Sequence, residues 1–134
     1  MPLPDELHVE ALHGLPTDSP ITMINLIKFK EHSSDGNGSG RDAYARYAKG
    51  SLAKLAEVEG VVEWAGVARG VAFGPTEWGD WDYVVKVSYP SKEHFLQLFT
   101  SPEFEAANRH RINGVERQVI IATQEAIGPW AQDD

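Results

Sequence analysis

Three polar side chains in apolar surroundings carry most of the chemical interest of this 134-residue chain: Asn25, Asn108 and Arg111. Asn25 stands in the middle of Ile21–Phe29, ITMINLIKF, a run of β-branched and long aliphatic residues. A buried carboxamide left without a partner costs several kcal/mol. Asn25 therefore either pairs with a neighbouring loop or helix end, or aims its amide into a pocket. Asn108 and Arg111 follow Phe104 at helical spacing, on one face. Arg111 either lies over aromatic rings and pairs with an acid at a rim, or, with Asn108, anchors an anion or carbonyl beside Asn25. A second group is aromatic: Tyr44, Tyr47, Trp81, Tyr83 and Tyr89. Such rings form core, or they line a pocket for a flat, weakly polar, small aromatic or carbonyl-bearing ligand.

Other chemistries find less support. Lys28, Asp82 and Lys86 read as a polar layer or salt bridge where two subunits meet, or as a carboxylate–lysine pair. His8, His13, His32, His94 and His110 show no HExxH or comparable spacing, so no metal site is expected. His94 and His110 remain candidates for a general base. DGNGSG lacks the lysine and spacing of a phosphate-binding loop, and no cofactor is expected. The absence of cysteine excludes thiolate catalysis and disulfides and fits a reducing cytoplasm. A net charge of −8 without a dense basic run disfavours nucleic acid and anionic membrane as partners. The acidic opening MPLPDELHVEAL does not read as a signal peptide. No apolar run approaches the ~20 residues of a membrane span.

The elements that must position these residues follow from periodicity. Pro4 to Leu12 predicts a short helix, a lid or brace ended by Gly14 and Pro16. Ile21–Phe29 predicts a strand with Ile21, Met23, Asn25, Ile27 and Phe29 on one side and Thr22, Ile24, Leu26 and Lys28 on the other. The polar loop KEHSSDGNGSG leads to a helix over residues 41–58, whose stripe includes Tyr44, Tyr47, Ser51 and Leu55. Gly50 inside it marks a bend or a close contact. Residues 61–73 and 80–89 predict two strands joined by the turn GPTEWGD. Ser91 starts a second helix, which restarts at Ser101-Pro102-Glu103 and runs to about 112. Residues 116–123 predict the last strand, and GPWAQDD a loosely held tail.

The domain expected is thus α+β, a four-stranded antiparallel sheet in βαββαβ order over residues 20–124, with extensions at 1–19 and 125–134. Two helices cover only one face of such a sheet. The first strand is apolar on both sides, so a second copy of the chain is expected on the other face.

The segments PITMINLIKF, RDAYARYA, WDYVVKVSYPSKEHF and SPEFEAANRHR resemble the DUF1330 family, a branch of the dimeric α/β-barrel superfamily of ferredoxin-like domains. The resemblance covers residues 20 to 123. It implies a homodimer whose sheets pack into a barrel, with a ligand between sheet and helices of each subunit. The superfamily holds cofactor-independent oxygenases, isomerases and haem-degrading oxygenases, so it leaves both an enzyme and a non-catalytic binding or structural dimer open. Haem degraders carry an Asn on the first strand, which Asn25 matches. Leu98 and Asn108 stand where those proteins have Trp and the iron-ligating His. His110 points about 200° round the helix from Asn108. The resemblance therefore implies no haem here.

Overall fold

A computed structural model of the chain describes residues 7–126. The predicted helix positions Pro4 to Glu6, and the tail from residue 127 with Trp130, lie outside the described residues. The first strand, β1 (Ile21–Phe29), has the bounds its hydrophobic run predicts. Ile21, Met23 and Ile27 are almost fully buried, as the alternation demands.

Helix α2 (Gly40–Glu57) starts at a capping box in which Ser39 and Asp42 satisfy each other's backbone N–H groups. It ends at Glu59, in the left-handed region (φ 62°), with Gly60 N–H donating to the Leu55 carbonyl. Gly50 marks a close contact: a Cβ there would lie 3.2 Å from the Ala107 methyl.

Strand β2 (Val61–Val67) is shorter than predicted. Its register slips between Val62 and Trp64, and Gly70 and Gly74 take positive φ, so the chain leaves the sheet and residues 68–82 form a long connection. Within it Thr76–Trp78 is one 3₁₀ turn. Strand β3 (Tyr83–Tyr89) begins three residues later than the alternation predicts. The Asp82 carboxylate accepts from the Phe29 N–H (2.8 Å), and Trp81 N–H bonds the Gly79 carbonyl, so both are held by turn contacts. Helices α3 (Lys92–Phe99) and α4 (Pro102–Gly114) are capped by Ser91 and Ser101, with Pro102 at the first position of α4. Strand β4 (Val115–Thr123) closes the domain.

The strands pair antiparallel in the order β2-β3-β1-β4, with α2, α3 and α4 against one face. That is the ferredoxin-like α+β fold predicted above. The short helix α1 (Val9–His13) leans on it through buried Leu12 and Leu15. Lys92 Nζ fixes this brace by donating to the carbonyls of Leu12 (3.1 Å) and Leu15 (2.8 Å).

The register defines the uncovered face. Ile24 and Leu26 of β1 stand between Lys86 and Val84 of β3 on one side and Ile121 and Val119 of β4 on the other, and Trp64 of β2 lies across Lys86 from Ile24. Trp64 is 54% exposed and Ile121 48%. Lys28 pairs with Asp80 (3.0 Å), which also takes Arg117 (3.2 Å), and Lys86 stays exposed. Among the described residues no helix is long and apolar enough to cross a membrane.

Candidate functional site

Odd positions of β1 and β3 and positions 118, 120 and 122 of β4 face the helices, joined past a bulge by Val115. That face is apolar except for two amides: Asn25 on β1 and Gln118 on β4. They meet. Gln118 Nε2 donates to Asn25 Oδ1 (3.2 Å), and Asn25 Nδ2 reaches the carbonyls of Val85 (3.3 Å) and Met23 (3.4 Å). Arg111, one turn from the end of α4, extends the series. Its Nη1 donates to Gln118 Oε1 (3.2 Å) and its Nε to Asn108 Oδ1 (2.6 Å). Asn25, Gln118, Arg111 and Asn108 thus form one hydrogen-bonded string across the cleft between sheet and helices. Each link orients the next, so the guanidinium and both amides are held in place before any ligand arrives.

The string runs along two adjoining cavities. One, of about 260 Å³, lies under α2 and is lined by Asn25, Tyr44, Tyr47, Tyr83, Tyr89 and Gln118 among others. The other, of about 230 Å³, lies under α1 and is lined by Arg111, Gln118, Tyr47 and apolar residues of α1, α4 and β4. Aromatic rings follow one another around the cleft from Tyr83 through Phe29, Tyr44, Tyr47, Phe104, Phe99 and Phe95 to Tyr89, with centroids 4.4–6.2 Å apart. Edge-on and tilted contacts of this kind stiffen the wall.

Burial pushes the Tyr44 hydroxyl above the usual phenol range; Tyr47 adds to the effect and Arg111 partly offsets it. Burial does the same to Tyr47, against the pull of Arg111 and a hydrogen bond with Ser51, and to Tyr89. These hydroxyls therefore stay protonated, as donors, at neutral pH. The stability consequence has a definite sign. Once pH rises above about 10, phenols of the unfolded chain ionise while these resist, so the folded state loses stability as pH rises further. A falling denaturation midpoint between pH 9 and about 11, with folded-state phenolate absorbance short of four tyrosines, is the expected observation.

The sequence-predicted residues divide accordingly. Asn25, Arg111, Tyr44, Tyr47, Tyr83 and Tyr89 line the cleft. Asn108 lines neither cavity and acts on Arg111. Trp81 lines neither; it bonds the Trp78 carbonyl and lies under the Arg117 guanidinium, 4.8 Å away. Its place follows from the late start of β3, which takes residue 81 out of the alternation. His94 and His110 line neither cavity. His94 serves the α3 cap, bonding Ser91 Oγ (2.7 Å) and meeting Glu59 (3.3 Å). Gln118 was missed, although its signal matched that of Asn25: one amide in an otherwise apolar alternation with Ile120 and Ala122. Among the described residues no group of His, Asp or Glu side chains could hold a metal ion.

No protein-family model matches the chain. A search of curated proteins likewise returns no match. Solved structures do resemble it. RPA0582, a protein of unknown function from Rhodopseudomonas palustris, is 26% identical, with a TM-score of 0.82 over 94% of this chain and 96% of that one. A dimeric protein of unknown function and ferredoxin-like fold from Bacteroides fragilis is 14% identical, with a TM-score of 0.53 over 82% of this chain and all of that one (100%). SnoaB, a cofactor-independent oxygenase from Streptomyces nogalater, is 12% identical, with a TM-score of 0.52 over 83% of this chain and 99% of that one. The last two likenesses concern the fold alone, and the fold is the ferredoxin-like α+β one.

Proposed function

We propose that the protein is a DUF1330-like homodimer, each subunit of which binds a small, flat, carbonyl- or hydroxyl-bearing aromatic compound between sheet and helices. One observation carries this reading: a hydrogen-bonded string of amides and a guanidinium laid along an otherwise apolar, aromatic cleft. Ligand pockets have this make-up, mostly apolar with a few placed polar groups. Arg111 and Gln118 offer directed donors to a substrate oxygen, Asn25 holds Gln118 in place, and Asn108 fixes Arg111. In a water-poor cleft such groups stabilise charge developing on a carbonyl or enolate oxygen. That chemistry suits a cofactor-independent, oxygenase-like or isomerase-like enzyme. The apolar outer sheet face supports a homodimer, and the absence of cysteine supports a cytoplasmic location.

One feature favours a binding protein without turnover instead. Among the described residues no carboxylate and no histidine lines the α2-side cavity, so none of them offers a ligand there such a proton acceptor. Calorimetric titration and oxygen uptake with a panel of hydroquinones separate the two readings. Binding is expected, and Arg111→Met weakens it by about 1.5–3 kcal/mol, ten- to hundredfold in Kd. Uptake that falls in Asn25→Ala while the fold persists supports the enzyme. Binding without uptake supports the binding protein, and failure to bind any member of the panel removes the site.

A further inference from the structure

Among the described residues a single guanidinium lines the two cavities, and it stands on the α1 side: Arg111. No carboxylate among those residues lines either one. Hydrogen bonds from Arg111 Nε to Asn108 Oδ1 and from Nη1 to Gln118 Oε1 fix the direction of the guanidinium, and both acceptors are neutral. Its charge is felt inside the cleft. Burial raises the Tyr44 and Tyr47 hydroxyls, and Arg111 is the largest influence opposing it at each. Beside Arg111 in the α1-side cavity stand Gln118 and four aromatic rings, those of Tyr47, Phe104, Phe99 and Phe95. The rings form one wall, each packed on the next at centroid separations of 6.2, 4.5 and 4.4 Å. A fixed positive charge and a wall of rings therefore meet in one half-open cleft, with His8 exposed at its rim.

Resting on the proposed binding of an aromatic compound, we infer that the ligand is an aromatic acid: an aryl carboxylate that seats in the α1-side cavity, its ring on the phenylalanines and its carboxylate against Arg111 and Gln118. A neutral carbonyl takes the hydrogen bond of a guanidinium. Only an anion also takes its Coulomb attraction, which a half-buried apolar setting screens less than water does. Arg111 and Gln118 are both half-buried. Gln118 Nε2 donates one hydrogen to Asn25 Oδ1 (3.2 Å) and has a second to offer beside the charge. The chain as a whole carries a net charge of −8, so affinity for an anion has to come from a local cation. The α2-side cavity has tyrosine hydroxyls and Asn25 but no cation among its described lining, so it gives a carboxylate no counter-charge. The ligand is thereby oriented, its acid toward the last turns of α4 and its ring toward α3 and the start of α4.

Isothermal titration at neutral pH with 2,5-dihydroxybenzoate, its neutral isostere 2,5-dihydroxybenzamide and hydroquinone tests this. The acid is expected to bind about ten- to hundredfold more tightly than the amide. Arg111→Met is expected to bring the two to equal affinity. Arg111→Lys, which keeps the charge and loses the planar fork, is expected to retain part of the preference. Ala122→Ile narrows the α1-side cavity from β4, and Ala122 does not line the other; it is expected to weaken the acid about tenfold. Should that variant fail to fold, Ala11→Leu on the exposed side of α1 narrows the same cavity. Hydroquinone that binds while acid and amide bind alike overturns the inference and leaves the site standing. A preference for the acid that survives in Arg111→Met, or an acid affinity untouched by narrowing the cavity, also overturns it, because the carboxylate then sits elsewhere. Absence of binding by all three compounds removes the inference and the site together.

Discussion

Replacing Ile121 with glutamate is expected to leave this protein folded but monomeric. Ile121 lies opposite Ile24 in the centre of the face that the helices do not cover, next to Val119 and within the surface that holds Trp64. In a two-fold dimer built on that face, each copy brings one such residue, so one substitution introduces two carboxylates into a dry interface. An unpartnered buried charge destabilises by about 3 kcal/mol or more, at least a hundredfold in the dimer dissociation constant. Within one subunit Ile121 is half solvent-facing, so the circular dichroism spectrum is expected to persist. Sedimentation velocity at micromolar concentration reads the result: a dimer for the unaltered chain, a monomer for Ile121→Glu, and a dimer for the control Ala45→Glu on the exposed side of α2. An unaltered chain that sediments as a monomer contradicts the dimer outright.

Gly114→Ala is expected to cause a large loss of stability for so small a change. The end of α4 and the start of α2 cross here at backbone distance. Lys30 N–H donates to the Gly114 carbonyl (2.8 Å), and Gly40 N–H donates to the Lys30 carbonyl (3.1 Å). A Cβ on Gly114 would collide with the Gly40 carbonyl and come within 2.7 Å of the Ala43 Cβ and 3.0 Å of the Tyr44 N–H nitrogen. These are backbone or near-backbone atoms, which cannot swing aside as a flexible side chain does. Overpacking of this kind costs about 3 kcal/mol. The consequence reaches the site, because the helices that separate there carry Tyr44 and Arg111. The measurement is the denaturant midpoint, with ligand affinity alongside. A midpoint unchanged within about 0.5 kcal/mol would mean that the helices part without penalty.

The sheet was readable because its burial is two-fold periodic. Ile21, Met23 and Ile27 declare the inner side of β1, and Tyr83, Val85 and Val87 declare that of β3, so which residues face the helices followed from alternation. The starts of α3 and α4 were equally plain, since Ser91 and Ser101 satisfy orphan N–H groups in a local way that sequence records. The span from residue 68 to residue 82 was misread because its conformation depends on glycines at positive φ and on the Asp82 carboxylate reaching the Phe29 N–H, a partner far away in sequence. Trp81 was misplaced for the same reason. In the site, Asn25 and Arg111 stood out as polar groups on apolar faces. Their connection through Gln118 did not, because it needs the β1–β4 register and the approach of α4, which no single segment encodes. That the cleft has two chambers is likewise a property of packing between elements rather than of any one of them.

The most direct measurement is a titration with hydroquinone followed by NMR of side-chain N–H groups: the carboxamides of Asn25 and Gln118, the Nε–H of Arg111 and the indole of Trp64. The expected result is that Asn25, Gln118 and Arg111 shift together, with one dissociation constant, while the Trp64 indole on the outer face stays where it was. Shifts confined to Trp64, or none at the three groups of the string, would contradict the assignment of the cleft as the ligand site.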